Sequence, residues 1–294
     1  MTDLFELALE VAPDLEELVT IRLEALGSQG VVSEQVSGQV KLWVKGYFTE
    51  APDEATLQSL EEQLVEDAES LAVPVPMLKT QTVREEDWAT AWQQYWHPRP
   101  VGERFLVCPV WETPPPEYKN RLLIRIDPGF AFGTGEHSTT RLCLVGLEQL
   151  MMEGPVATVA DVGCGSGILA LGALLLEVPK VIAVDIDPLA VKATQINLEE
   201  AGFADKATVF VGSAEDVLKL GTPVDGLVCN ILADVICQIA EDLTDLVKPG
   251  GWGLFSGLLT TQAAMVLERL EPLGWHRECT LSEEPWAALI LHKI

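Results

Sequence analysis

Eleven residues, Val159-Ala160-Asp161-Val162-Gly163-Cys164-Gly165-Ser166-Gly167-Ile168-Leu169, restrict the fold open to this chain. A short apolar run reaches an aspartate, and three glycines follow at alternate positions. An apolar segment of helical length, Ile168 to Leu176, comes next. The pattern predicts a buried strand, a tight turn and a helix start. Glycines suit such a turn because they tolerate positive φ and let a ligand lie against bare backbone. A second apolar strand, Val181-Ile182-Ala183-Val184, ends on Asp185, 22 residues after Gly163. An acid at that distance, at the tip of the neighbouring strand, is placed to accept hydrogen bonds from the ribose hydroxyls of an adenosine ligand.

The glycine spacing narrows the ligand. A nicotinamide site wants a third small residue three positions after the second glycine, but that position here is Ile168 and the third glycine falls one residue early. The form Asp-x-Gly-x-Gly-x-Gly instead resembles the first motif of class I S-adenosylmethionine methyltransferases. From Val156 onward, strands are expected near 156–162, 180–185, 208–212, 224–230 and 252–256, with helices between them. This alternation predicts an α/β, doubly wound parallel sheet with ligands at the carboxyl ends of its strands. Trp275 to Ser282 and Trp286 to His292 leave no room for a helix between them, so a terminal antiparallel hairpin is expected.

The first hundred residues read as a separate unit. Phe5, Leu7, Leu9 and Val11 alternate with polar or small residues, predicting a half-buried strand. Helical spacing follows over Asp14 to Leu26. Two strands are expected over Val31 to Val36 and Val40 to Phe48, then a helix over Glu54 to Leu71 and a strand over Met77 to Val83. The order βαββαβ suggests a small α+β ferredoxin-like domain. The divisions expected are 1–84 for this recognition domain, 85–103 for a helical linker carrying Trp88, Trp92, Tyr95 and Trp96, and 104–294 for the methyltransferase domain. Some RNA binders share the small-domain topology, and Lys41, Trp43, Lys45 and Tyr47 fall on one face of its third strand. Against that reading, Glu6 and Glu10 stand where the first strand would need aromatics, and residues 1–100 carry a net charge of −13 out of −26 for the chain. A surface this acidic repels phosphate backbones and attracts basic partners. No direct nucleic-acid binding is therefore expected.

No apolar run approaches the roughly 18 residues that cross a bilayer, and Met1-Thr2-Asp3 opens into an acidic segment without a signal-peptide pattern. Six cysteines lack any Cys-x-x-Cys spacing, and the four histidines are dispersed, so no metal site is expected. Cytoplasmic localisation follows, with reduced thiols, and a monomer is expected.

Two further stretches carry chemistry. Asp127 to Arg141 holds Gly129, Gly133 and Gly135, Phe130 and Phe132, and Ser138, Thr139 and Thr140. Its glycines offer close-approach backbone, its threonines suit a helix start, and Phe130 or Phe132 could cover a ligand. The stretch Asp-Pro-Gly-Phe-Ala-Phe-Gly-Thr-Gly-x-His-x-Thr-Thr is similar to the signature of the PrmA family of bacterial ribosomal-protein methyltransferases. Asn230-Ile231-Leu232-Ala233, at the end of a strand, resembles the Asn-Pro-Pro-Tyr type loop of nitrogen methyltransferases in the form that family uses. Trp88, Trp92, Pro98 and Gly102 resemble its connecting segment. Glu284 with Trp286 resembles its closing Glu-Trp element, spaced here by Pro285.

The resemblance implies S-adenosyl-L-methionine as cofactor, contacted by Thr140, Gly163, Gly165, Asp185 and Asn230, with Phe132 and His137 lining the site. It implies Asn230 as the catalytic residue and a large-subunit ribosomal protein as substrate, methylated on lysine ε-amines and the N-terminal α-amine. Residue chemistry alone leaves other readings open: a same-fold enzyme acting on another protein or a small amine, or a non-catalytic adenosine-binding regulator in which Asn230 only caps a turn.

Overall fold

The computed structural model describes residues 3–28, 30–35, 42–71, 73–84, 96–127, 135–221 and 223–294. The chain divides into two compact units, Met1–Trp96 and His97–Ile294.

In the first unit, strand β1 (Asp3–Val11) leads through a 3-10 turn to helix α1 (Glu16–Ala25). Strands β2 (Gly30–Gln35) and β3 (Leu42–Phe48), helix α2 (Glu54–Ser70) and strand β4 (Met77–Arg84) follow. The sheet order is β2-β3-β1-β4, and every pair is antiparallel. Period-2 alternation decides which face is covered: Leu7, Leu9, Val11, Val44 and Phe48 are buried with Leu15, Val19, Leu23, Leu60 and Leu64 of the helical layer. The start of α2 is fixed by Asp53, whose side chain accepts the Thr56 N–H at 2.8 Å. Arg22 Nη2 ties α1 to α2 by donating to Asp67 Oδ1 at 2.7 Å.

The opposite sheet face differs from a solvated one. Glu6 stands opposite Tyr47 on one side and Gln81 on the other, is only 4% exposed, and accepts from Gln81 Nε2 at 2.7 Å. The Lys79 ammonium sits 4.4 Å from the Trp43 ring centre, and Tyr47 is buried. Lys41, the strand end at 36–40 and the expected helix over 85–95 lie outside the described residues.

The second unit opens with a small three-stranded sheet. Strand β5 (Arg99–Val101) pairs antiparallel with β6 (Phe105–Pro109), which pairs in parallel with β7 (Leu122–Ile126). Residues 99–101, expected in the linker, are thus hydrogen-bonded into this unit.

Helix α3 (Ser138–Glu153) then leads into the main sheet through β8 (Thr158–Val162). Buried Glu148 of α3 accepts the N–H groups of Glu103, Arg104 and Phe105, which holds the β5–β6 turn to the helix. Helix α4 (Ile168–Leu175), β9 (Lys180–Asp185), α5 (Pro188–Glu200), β10 (Ala207–Val211) and α6 (Ala214–Leu218) follow. Then come β11 (Val224–Asn230), α7 (Ala233–Gln238), α8 (Ala240–Leu246), β12 (Val247–Leu259) and α9 (Ala263–Leu270). The closing hairpin is β13 (Trp275–Glu283) and β14 (Trp286–Lys293).

The seven-stranded sheet runs β10-β9-β8-β11-β12-β14-β13, parallel through β12 and antiparallel in the last two strands. One face buries Ala160, Val162, Leu227, Cys229 and Phe255 with α6 to α9. By alternation, Asp161, Val228 and Asn230 point to the other face, over which α3 packs on β11, β12 and β14.

Candidate active site

The order reversal in the sheet lies between β8 and β11, and ligands of open α/β sheets bind at the carboxyl ends of the strands flanking such a point. Every sequence-predicted site residue that the structure describes is at the carboxyl end of β8, β9 or β11, in the turn that follows, or at the start of α3. Phe130 and Phe132 lie outside the described residues.

The turn after β8 is built from glycines with positive φ: Gly163 at 79°, Gly165 at 54° and Gly167 at 80°. The Gly163 and Cys164 N–H groups donate to the Val184 carbonyl at 2.9 and 3.0 Å, which locks the turn to β9. A Cβ on Gly163 would lie 2.3 Å from Ile231 Cγ2, so only glycine lets the turn approach the segment after β11 this closely. Gly257 (φ 82°) closes on Ile231 from β12, where a Cβ would meet the Ile231 carbonyl oxygen at 2.2 Å. Ile231 is therefore gripped from two strands, and Asn230, its neighbour, is held with it.

Asp185 ends β9. Its Oδ2 accepts the Gly165 N–H at 2.9 Å and its Oδ1 the Asp187 N–H at 3.0 Å. A carboxylate oxygen has room for a second donor, so each oxygen keeps capacity for a ligand hydroxyl.

At the start of α3, His137 is the N-cap, and its Nδ1 accepts the Thr139 N–H at 3.3 Å and lies 2.7 Å from Thr139 Oγ1. The ring meets Trp286 edge-on at 4.8 Å between centroids. Burial, with the nearby Arg141 charge, pushes the His137 pKa down to about 4, so the imidazole is neutral at pH 7. Arg141 bridges this corner to the hairpin through Glu283 and donates to Ser138 Oγ at 2.9 Å; Arg99 pairs with Glu136 at 3.3 Å.

Buried polar atoms ordinarily find partners. Three side-chain oxygens at this end of the sheet have none: Thr140 Oγ1, Asp161 Oδ1 and Asn230 Oδ1. Their residues are 0%, 1% and 8% exposed. Asp161 opposes Val228, so Asn230 sits two residues further along β11 on the same face, and Cys143 of α3 is close enough to Asp161 to couple to it electrostatically. The sequence pattern does not single out Asp161 as a site residue. Its only signal there is an acid ending an apolar strand before glycines, which equally suits a residue fixing the turn. Its Oδ2 does accept the Ala170 N–H in the first turn of α4, at 3.0 Å.

With this geometry in place, comparison with known proteins is decisive. A sequence model described as "Ribosomal protein L11 methyltransferase (PrmA)" matches residues 3–294. The chain belongs to that family. Relatives named ribosomal protein L11 methyltransferase from Thermosynechococcus vestitus and Synechococcus elongatus are each 44% identical, over 291 and 283 residues. These matches span 97% and 95% of this chain and 95% and 93% of theirs. A crystal structure of a ribosomal protein L11 methylase from Lactobacillus delbrueckii subsp. bulgaricus superposes with a TM-score of 0.61 at 30% identity, covering 67% of this chain and 99% of its own. The family match spans both compact units. As a member of the ribosomal protein L11 methyltransferase family, the chain is a methyltransferase built on a large, mostly parallel sheet. Among the described residues no helix is long and apolar enough to cross a membrane.

Proposed function

We propose that this chain uses S-adenosyl-L-methionine to methylate nitrogen atoms of a large-subunit ribosomal protein, on lysine ε-amines and the N-terminal α-amine. The observation that carries the reading is the Asn230 Oδ1 atom, buried without a partner at the carboxyl end of β11 and set by the glycine-gripped Ile231. The residues present fit the cofactor. Asp185 retains acceptor capacity for ribose hydroxyls, the positive-φ turn at Gly163 and Gly165 brings bare backbone to the ligand, and unpartnered oxygens await donors. His137, capping α3, orders the helix start that carries Thr140.

The bound cofactor supplies an electrophilic methyl on a sulfonium. What the chain must supply is a neutral, oriented amine. A lysine with pKa near 10.4 is mostly protonated at pH 7. The Asn230 carbonyl accepts one N–H and so aims the nitrogen lone pair, without the strong base that would trap the proton. The first unit, with its share of the chain's −26 charge, supplies the attraction for a basic protein.

The test is mass spectrometry of the purified ribosomal protein after incubation with the enzyme and cofactor. Mass gains of 14 Da steps on lysine and the N-terminus are expected, by the chemistry of replacing N–H with N–CH3. Methylation of small amines with none on the protein would move the substrate to the small-molecule class. Cofactor binding without turnover on either would leave a regulator.

A further inference from the structure

The closing hairpin meets helix α3 at both ends of that helix. At its start the contacts are those of Arg141 with Glu283 and of His137 with Trp286. At its end, Glu153 reaches the other end of the same hairpin. There His292 Nε2 lies 3.6 Å from Glu153 Oε2 and also contacts Glu278 Oε2. One side-chain atom from each of these three residues lies within 4.8 Å of the other two. This corner is set back from the candidate active site. Asn230 pairs with Ser256 of β12, whereas His292 pairs with Trp252, roughly 13 Å back along β12 at the 3.3 Å rise of a strand.

Sequence spacing hides this group. The chain has four histidines, dispersed along its length. Antiparallel pairing sets two of them, His276 and His292, directly opposite each other. Opposed residues share one sheet face, with Cβ atoms about 4.5–5.5 Å apart. The register of β13 then shifts between Arg277 and Cys279. A bulge of this kind sets two residues against one and re-aims a side chain. Glu278 stands in it and turns its carboxylate to His292.

The charge at this corner is unbalanced. Two carboxylates converge, and among the described residues neither has a lysine or arginine partner. Lys293, next to His292, is turned elsewhere and donates to the Thr244 and Val247 carbonyls at 2.7 and 2.6 Å. His292 offsets the two negative charges only when it is protonated. A divalent cation would neutralise both carboxylates and take a neutral imidazole as ligand. The donor set selects the ion. Calcium and magnesium want oxygen ligands, whereas imidazole together with carboxylate suits zinc. Zinc holds nitrogen and oxygen at about 2.0–2.2 Å in a tetrahedron, which sets the ligating atoms roughly 3.4 Å apart. The 3.6 Å between His292 and Glu153 is close to that spacing.

We propose that Glu153, Glu278 and His292 bind a zinc ion, with His276 across the strand pair as the fourth ligand. The ion staples the end of α3 to the closing hairpin, so both ends of the helix are fixed to one element. The inference is independent of the cofactor and of the substrate.

Calorimetry and equilibrium dialysis of the full chain with zinc chloride alone test it. One ion per chain is expected, with a Kd tighter than about 100 μM. Zinc at about 100 times its Kd should raise the Tm by roughly 5 °C. His292→Ala and Glu278→Gln alter side chains that are 34% and 44% exposed. Each should weaken zinc on the order of 100-fold and remove the Tm shift. If His292→Ala does not fold, Glu278→Gln decides. Cobalt in place of zinc reports the donors, and visible bands without a sulfur-to-metal charge-transfer band are expected. A charge-transfer band would place the ion on cysteines and overturn the proposal. So would a Kd weaker than about 100 μM, wild-type affinity in a folded variant, or magnesium or calcium bound as tightly as zinc.

Discussion

On the proposed reading Asp185 divides its lone pairs between the chain and the ligand, so losing it should have two consequences. Asp185→Ala removes the acceptor for the Gly165 N–H, loosening the turn, and removes the sites for the ribose hydroxyls. Hydrogen bonds to a charged group contribute roughly 1.5–3 kcal/mol each. Two of them correspond to a loss of S-adenosylmethionine affinity of about 100-fold or more. Calorimetry that returned wild-type affinity would take Asp185 out of the site. Asn230→Ala should behave in the opposite way, with cofactor affinity nearly kept and turnover reduced on the order of 100-fold, as for the removal of one positioned hydrogen-bonding group at a reacting centre. Single-turnover rates separate the two variants, and full activity in Asn230→Ala would reduce that residue to a cap. The candidate site residues that carry a signal in the sequence, Gly163, Asp185 and Asn230, stand at fixed offsets from apolar strands. Asp161 carries no such signal, because its unpartnered oxygen is visible only once its surroundings are known. The same aspartate with an arginine opposite would be a structural ion pair.

At the scale of single elements, the start of α3 ties acid stability to one imidazole. The neutral His137 ring caps the helix through Nδ1, and protonation would remove that acceptor. Its folded-state pKa of about 4 lies below the usual 6.5. Between those values the unfolded chain binds the proton and the folded one does not, so stability rises with pH across the window and is lost on acidification through it. Urea unfolding at pH 7 and pH 4.5 should show that loss for the wild type, and His137→Asn, which keeps a capping side chain, should lose less. Parallel losses would assign the acid sensitivity elsewhere. Helix α3 also shows why boundaries escape a sequence reading. Ser138, Thr139 and Thr140 all rank above histidine as caps, yet the chain caps with His137, whose ring packs edge-on against Trp286. Likewise, β5 is three residues long and contains Pro100, too short for any period to register; only its pairing with β6 defines it. Helix α2 is legible from its 3.6-residue period because it buries one face, whereas β8, β9, β11 and β14 are legible as nearly continuous apolar runs because both sheet faces are covered.

At the scale of the whole chain, cofactor and recognition are assigned to different units, and cutting between them tests this. The glycine turn, Asp185 and Asn230 all lie within His97–Ile294. A fragment beginning at His97 keeps β5 and its pairing and retains the core of the seven-stranded sheet. It should bind S-adenosylmethionine within a few-fold of the full chain and lose methylation of the ribosomal protein. The full chain should bind that basic protein less tightly as salt rises, since opposite surface charges are screened over roughly 10 Å at 0.1 M. A fragment that methylates the protein at the full rate would place recognition in the second unit. An isolated first unit that bound RNA would reopen the role of Trp43 and Lys45.

If Asn230 aims the amine as proposed, its single acceptor also sets how a multi-step modification would run down. A neutral primary amine brings two N–H donors to that oxygen, a monomethylated amine brings one, and a dimethylated amine brings none. The first two transfers can each be aimed by the same hydrogen bond, while a third would proceed with the nitrogen placed by shape alone. On a single amine, dimethylated product should therefore build up ahead of trimethylated product in a time course. In Asn230→Ala the early transfers should slow far more than the last, flattening that build-up. Equal slowing of all three steps would mean that Asn230 acts on something other than the amine hydrogens.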